Sequence, residues 1–598
     1  MESIRTFLFI LFAFLTFLLY QEWEADHKPA KVNKAPISES VLDYQDLFVN
    51  ADLESTDQIS KNSTPINEQS KNSSDQFGGQ NNKDSQNNSD LSSELPTSET
   101  LVATPSKSIP NQSAIIVTTD RLRVLITPTA GNIVSAELLN YRETLDKKSQ
   151  PINILENRNG RVFLALSGLY GKGAPDFKKN KPIYHSSEKE YELKTDEEEL
   201  IVDLDWINEN GVKYTKRFTF YSGQHQIKVE YIVNNFSNEK IANRMFTALK
   251  RDLLPADGQE ESGLGMRSYL GPAISTSEDK YAKQDFEDIE EVPLNVKTQG
   301  GWIAILQHYF VTAWIPESED LHTIDSSTKN LGKAGLAQVR ITQDWKWIEP
   351  GMSHTFVAKL YVGPKIQSDL ENIADGLELT VDYGFLWWIG RPIFFLLIFF
   401  QSFVVNWGAA IILVTIAIKT LLYPLARAQY RSFAKMRLLQ PKMASMKEKY
   451  GDDKKQMSMK MMELYKKEKV NPLGGCFPLL IQMPVFISLY WVLMESVELR
   501  HAPFILWITD LSVMDPYYVM PLLMGASMFL MQKMQPMSPT MDPMQQKMMQ
   551  LMPVFMTVFF VFFPAGLVLY WLMNNLISIS QQLYITNQFN KEQEVKKK

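Results

Sequence analysis

Apolar and polar residues alternate along this chain with two different periods, and the change of period divides it. From Ile115 the period is two, with Leu122, Val124 and Ile126 interleaved with polar neighbours. Val202, Leu204 and Trp206 alternate with Asp203 and Asp205, and Ile227, Val229 and Tyr231 repeat the pattern. Phe356, Ala358, Leu360 and Val362 close it near Pro364. Residues two apart on a strand share a face, so these segments, separated by Gly, Asn and Pro turns, predict an antiparallel all-β sandwich. After Tyr383 long apolar runs replace the alternation. Residues 407–425 would rise about 28 Å as a helix, close to the hydrocarbon thickness of about 30 Å. Residues 472–494 and 517–531 are further candidate spans. The block 548–584 would rise about 55 Å as one helix, nearly twice the membrane. Phe563-Pro564-Ala565-Gly566 supplies a turn in its middle, so the block reads as a hairpin of two spans.

The two ends complete this division. Residues 6–20 are uncharged and apolar behind Arg5, which fits a cleaved signal peptide or a retained anchor. The run is followed by Gln21-Glu22-Trp23-Glu24 rather than a small-residue cleavage site, which favours an anchor over 1–21. Residues 22–110 are rich in Ser, Asn, Asp, Gln and Lys and cannot bury enough apolar surface to offset ordering, so they predict a flexible tether. The β domain then occupies 111–382. Residues 383–405 are aromatic but broken by Gly390-Arg391-Pro392 and Gln401-Ser402, which predicts a helix lying on the outer membrane face. The expected spans are 406–425, 472–495, 517–532, 548–563 and 566–585, giving a membrane α-helical bundle of six transmembrane helices with the anchor. The connecting segments are 426–471, 496–516, a Met-rich 533–547, and the tail 586–598.

Charge orients the spans. The net charge of -7 averages over unlike parts. The 426–471 loop carries Arg427, Arg431, Lys435, Arg437, Lys442 and further lysines against few acids, and the chain ends in Lys596-Lys597-Lys598. Positive loops stay inside, so this loop, the tail and both termini are expected in the cytoplasm. The 496–516 loop, with Glu498, Asp510 and Asp515 against Arg500, suits the outside. Within the basic loop Met436, Leu439, Met443 and Met446 recur at helical spacing, Gly451-Asp452-Asp453 interrupts, and Met457, Met461, Leu464 and Tyr465 resume. That predicts a helical hairpin, either a solvated basic flank or a docking surface for a ribosome or nascent chain.

Chemistry-bearing motifs are sparse. Cys476 is the single cysteine, so neither disulfides nor thiolate metal clusters are expected. The seven histidines form no i, i+4 pair, and nothing resembles a phosphate-binding loop. No cofactor, metal, catalytic residue or nucleic-acid binding is expected. The polar groups within the apolar runs are therefore the candidates. Lys419 lies eight residues before Arg427, about 12 Å by helical rise. Its stem could snorkel to the interface, or its ammonium could face a polar cavity. Thr415 lies one turn away on the same face, and Pro424 frees the carbonyl of Thr420. Gln482 sits beside Pro484, and Asn575, Ser578 and Gln582 fall at i, i+3 and i+7 on the last span. These groups serve either as interhelical glue or as the wall of a hydrated groove open to the cytoplasm. The runs 517–531 and 548–563 would rise only about 22–24 Å and thin the bilayer locally. Met531, Met534, Met537, Met541 and Met544 offer a flexible surface for varied apolar sequences.

Tyr423-Pro424-Leu425 with Ala428-Gln429-Tyr430 resembles the YidC/Oxa/Alb family of membrane protein insertases. So do Asn471-Pro472-Leu473-Gly474-Gly475-Cys476, Leu480-Ile481-Gln482-Met483-Pro484 and Asp542-Pro543-Met544-Gln545-Gln546. Gly301-Trp302 and residues 310–315 match the type with a large periplasmic domain, and the resemblance covers the whole chain. It implies a periplasmic β-supersandwich, a five-helix insertase core and a groove open to cytoplasm and lipid. It also implies a location in the bacterial inner membrane and chaperone-like, non-enzymatic insertion of nascent membrane proteins. Implied partners are those clients, membrane lipid, the Sec translocon with its accessory subunits, and the ribosome. The family's groove usually carries arginine where this chain has Lys419; charge survives that change but the bidentate fork does not. Two other classes compete on residues alone. A secondary transporter would show paired broken repeats, and an anchored carbohydrate-active enzyme would show an acid/base constellation in the β domain.

Overall fold

The computed structural model describes residues 114–597, except 159–160, 178–180, 255–267, 318–319, 330–334, 451–452, 469–476 and 536–542. The expected anchor 1–21, the tether 22–110, the motif 471–476 and residues 536–542 of the Met-rich loop lie outside the described residues. Among the described residues, twenty strands form two sheets of eleven and nine strands. The nine-stranded sheet centres on Trp302–Leu306, Phe310–Pro316, Ser353–Pro364, Gln226–Asn235 and Val212–Tyr221, each antiparallel to the next. Val229 stands opposite Ala358 on one side and Phe218 on the other. All three are buried in the core between the sheets. Leu122, Val124 and Ile126 enter the same core from the other sheet. The predicted alternation is therefore the inward face of a sandwich, and its last strand ends at Pro364.

Some strands depart from alternation because both of their faces are covered. Trp302–Leu306 and Phe310–Pro316 are buried at every position. Ile303, Ile305 and Trp314 point into the sandwich, whereas Trp302, Ala304, Val311 and Ala313 belong to a second apolar cluster. That cluster continues through Leu370 and Leu377 into Ile393, Ala410, Leu489 and Tyr570 of the helical region. Gly301 precedes this pair with φ +89, and a Cβ there would lie 2.1 Å from the Ser275 carbonyl oxygen, so only glycine fits.

The described helices are α1 (Phe286–Glu291), α2 (Gln367–Ile373), α3 (Trp387–Val404), α4 (Trp407–Leu421), α5 (Tyr423–Tyr450), α6 (Lys454–Lys467), α7 (Phe477–Glu495), α8 (Val519–Met534), α9 (Pro543–Phe560) and α10 (Ala565–Lys597). The expected span 406–425 ends early, at Leu421, and the chain turns by 68° into α5. Pro424 has no amide hydrogen to continue the ladder and sits instead in the first turn of α5, where none is needed. The basic loop is a helical hairpin of α5 and α6, closed by Leu439, Met443, Met457, Met461 and Leu464. The Asp453 carboxylate caps α6 by accepting from the amides of Lys455 and Gln456. The expected last span and tail form one continuous helix, α10.

The count of six spans is not recovered by length. Among the described residues one helix, Gly384–Val404, is long and apolar enough to cross a membrane, or two if the bent α4–α5 pair is one span. This segment was expected to lie on the outer face, and its length permits either placement. α4 and α8 have 15 and 16 residues, rises of about 22–24 Å that fall short of a normal bilayer.

Several ionisable groups are buried within the β domain, Lys216 among them. Lys216 is fully buried, donates to the carbonyls of Ala130 and Ser167 at 3.3 and 3.2 Å, and lies over the rings of Phe218 and Tyr231. Burial lowers its pKa from 10.5 to about 7. Between those values the unfolded chain holds a proton that the folded domain lacks, so stability rises with pH across that window and is flat below it. Urea unfolding of the β domain between pH 7 and 9 should show this rise, at most about 1.4 kcal/mol per pH unit. The Lys216→Met variant should lack this contribution.

Candidate functional site

Asn406 starts α4 by accepting from the Ala409 amide at 2.9 Å, and the helix carries Lys419 in its last turn. The Lys419 ammonium donates to Ser578 Oγ at 2.8 Å and to Gln482 Oε1 at 3.3 Å. The Gln482 amide donates in turn to Asn574 Oδ1, and the Ser578 hydroxyl donates to the Asn574 carbonyl at 2.7 Å. Gln581 reaches back to the Lys419 carbonyl at 3.4 Å. Three helices, α4, α7 and α10, thus meet at one cation. Lys419 is only 9% exposed, so the stem points into the bundle instead of snorkelling outward. Its partners are neutral, and no carboxylate pairs with it among the described residues.

The expected site residues divide into two groups. Lys419, Gln482 and Ser578 come together. Thr415 is buried but its hydroxyl donates to the Ile411 carbonyl of its own helix at 2.7 Å. Asn575 donates to Ser527 Oγ at 3.0 Å and Gln582 to the Met534 carbonyl at 2.9 Å, so both face α8 rather than the lysine. α10 therefore has two polar faces. The face toward Lys419 is Asn574, Ser578 and Gln581, at i, i+4 and i+7, a spacing equally visible in the sequence but overlooked beside Asn575 and Gln582. Ser527 and its pairing with Asn575 could not be found without the α8–α10 packing. The Oε1 atoms of Gln581 and Gln582 are buried with no hydrogen-bond partner among the described residues. Buried acceptors of this kind usually hold water or a bound donor.

The surroundings are apolar and open outward. Leu551, Met552, Val554 and Phe555 on α9 and Leu522, Phe529 and Leu530 on α8 are exposed. Such faces suit lipid or another apolar segment. No group of three or more metal-ligating side chains exists among the described residues.

The structure joins a β-sandwich through a shared apolar core to a helical bundle that cages a lysine. Family models match the two parts separately: the 60Kd inner membrane protein over residues 399–593 and the YidC periplasmic domain over 114–396. The membrane protein insertase YidC of Shewanella piezotolerans is 46% identical over 98% of both chains, and that of Shewanella woodyi is 45% identical over 98% of both. A solved structure of an active YidC insertase overlaps 80% of this chain and 93% of its own, with 16% identity and a TM-score of 0.35. The chain belongs to the YidC family of membrane protein insertases, whose work is insertion rather than enzymatic catalysis.

The two faces of α10 should respond differently to substitution. Asn575→Ala should lower bundle stability in detergent by about 1 kcal/mol, the contribution of one buried hydrogen bond, with insertion retained. Ser578→Ala, which strips a partner from Lys419, should reduce insertion as well; thermal melting and a vesicle insertion assay separate the two.

Proposed function

We propose that this inner-membrane protein inserts nascent membrane proteins through a hydrophilic groove centred on Lys419. The observation that carries this reading is the lysine itself, buried and bound only by neutral side chains. A cation inside a membrane ordinarily has an anionic or hydrated partner, and here the protein supplies none among the described residues. An acidic residue in the polar flank of an incoming segment fills that role. The groove takes this flank part-way into the bilayer, lowering its desolvation cost. The client's apolar segment then passes along α7 into lipid. The short helix α8 and the short apolar part of α9, Lys547–Phe560, thin the membrane beside the groove and shorten the path. No nucleotide or covalent step is required.

The remaining parts fit this reading. Six spans with both termini in the cytoplasm agree with the positive-inside rule and put the β domain in the periplasm. Residues 383–405 lie on the periplasmic surface, with Trp387, Trp388, Phe395 and Phe403 exposed to lipid. The α5–α6 hairpin offers a basic surface to a ribosome or nascent chain. Work beside the Sec translocon and as a folding chaperone is part of the same proposed reading.

In reconstituted vesicles, Lys419→Ala should slow insertion of a single-span client with an acidic tail by about tenfold, the equivalent of one charge-assisted contact. Lys419→Glu should be worse, and Lys419→Arg should retain activity. Insertion at the unaltered rate in Lys419→Ala would remove the electrostatic role. Crosslinks from positions 419 and 482 to a stalled nascent chain would place the client in the groove.

A further inference from the structure

We infer that Lys365 and Glu495 are positioning residues for the groove, locking the outer end of α7 to the β domain and thereby setting where Gln482 stands beneath Lys419. The inference rests on the groove reading above. Lys365 is the first residue after the strand Ser353–Pro364, and Glu495 is the last residue of α7. The ammonium and carboxylate meet at 2.6 Å, with side chains 2% and 3% exposed. Neither charge can leave the other without remaining buried and uncompensated, so the pair holds one geometry.

The contacts around the pair show why a directional bond is needed there. Val497, two residues beyond α7, inserts into the core between the two sheets. His308 bonds the Met494 carbonyl at 2.8 Å, and Arg500 donates to the Arg142 carbonyl at 2.7 Å. Apolar burial fixes how deep Val497 sits but not the rotation of the helix above it, because it is non-directional. At the other end Gln482 is held between Lys419 and Asn574. The thirteen helical steps from 482 to 495 span about 20 Å. Pro484 lies between the two anchors and interrupts the hydrogen-bond ladder, so helix stiffness alone does not transmit the outer position to the inner one. With both ends pinned, the helix has one setting across Pro484, and the Lys419 cage is assembled. The β domain then acts as a footing for one wall of the groove.

The test uses the full-length chain with Cys476→Ser, reconstituted in vesicles and carrying spin labels at positions 483 and 580 on α7 and α10. Lys365→Met with Glu495→Gln removes both charges without leaving either unpaired. This variant should broaden or shift the label distance and slow insertion by about threefold or more, with the β domain still resistant to protease. The swapped pair, Lys365→Glu with Glu495→Lys, should recover both readouts, and Lys365→Arg should keep them. An unaltered distance distribution in the neutral pair would overturn the inference. So would a swapped pair that folds but recovers neither readout. A shifted distance with insertion unchanged would keep the lock but overturn the groove reading on which its purpose rests.

Discussion

An ammonium held inside a helical bundle costs several kcal/mol unless oxygen atoms replace the water it has lost. Lys419 meets that requirement with two side-chain oxygens from two different helices. The need for those oxygens explains why Gln482 and Ser578 face the lysine. Their orientation requires Asn574, which accepts from both of them. Three helices are therefore brought into register by one cation. No carboxylate completes the arrangement among the described residues, and the proposed role for an acidic client rests on that shortage.

The second constraint is continuity of apolar burial between the two halves of the molecule. Strands Trp302–Leu306 and Phe310–Pro316 have no solvent face, because one side closes the sandwich and the other packs toward the helices. A flexible linker between independent domains would leave those outward residues exposed. Here the second cluster runs from Trp302 through Leu377 to Leu489 and Tyr570. The β domain is thereby a structural neighbour of the helical bundle rather than a tethered accessory.

Much of this was legible along the chain. Period-two alternation marked the inward faces of the sandwich and its end at Pro364, because strand geometry alone puts every second residue on one side. The α5–α6 hairpin was visible in its methionine spacing and in the acidic break at 451–453. Lys419 stood out because a lysine within an apolar run has few benign explanations. Span boundaries were less legible. A run of apolar residues does not show where Pro424 turns the chain or that the last helix continues through the polar tail to Lys597.

Hydrophobic period and charge distribution, read from the sequence by itself, determined the two-part architecture, the orientation expected in the membrane and the candidate lysine, since each follows from local geometry and desolvation. Only the tertiary structure decided which polar residues share a site. Asn575 and Gln582 turn to α8 while Asn574 and Gln581 turn to Lys419, although all lie on one helix at plausible spacings. The rotation of that helix is set by packing against its neighbours. The Lys365–Glu495 pair is likewise a product of tertiary structure, joining residues 130 positions apart whose burial only the completed junction creates.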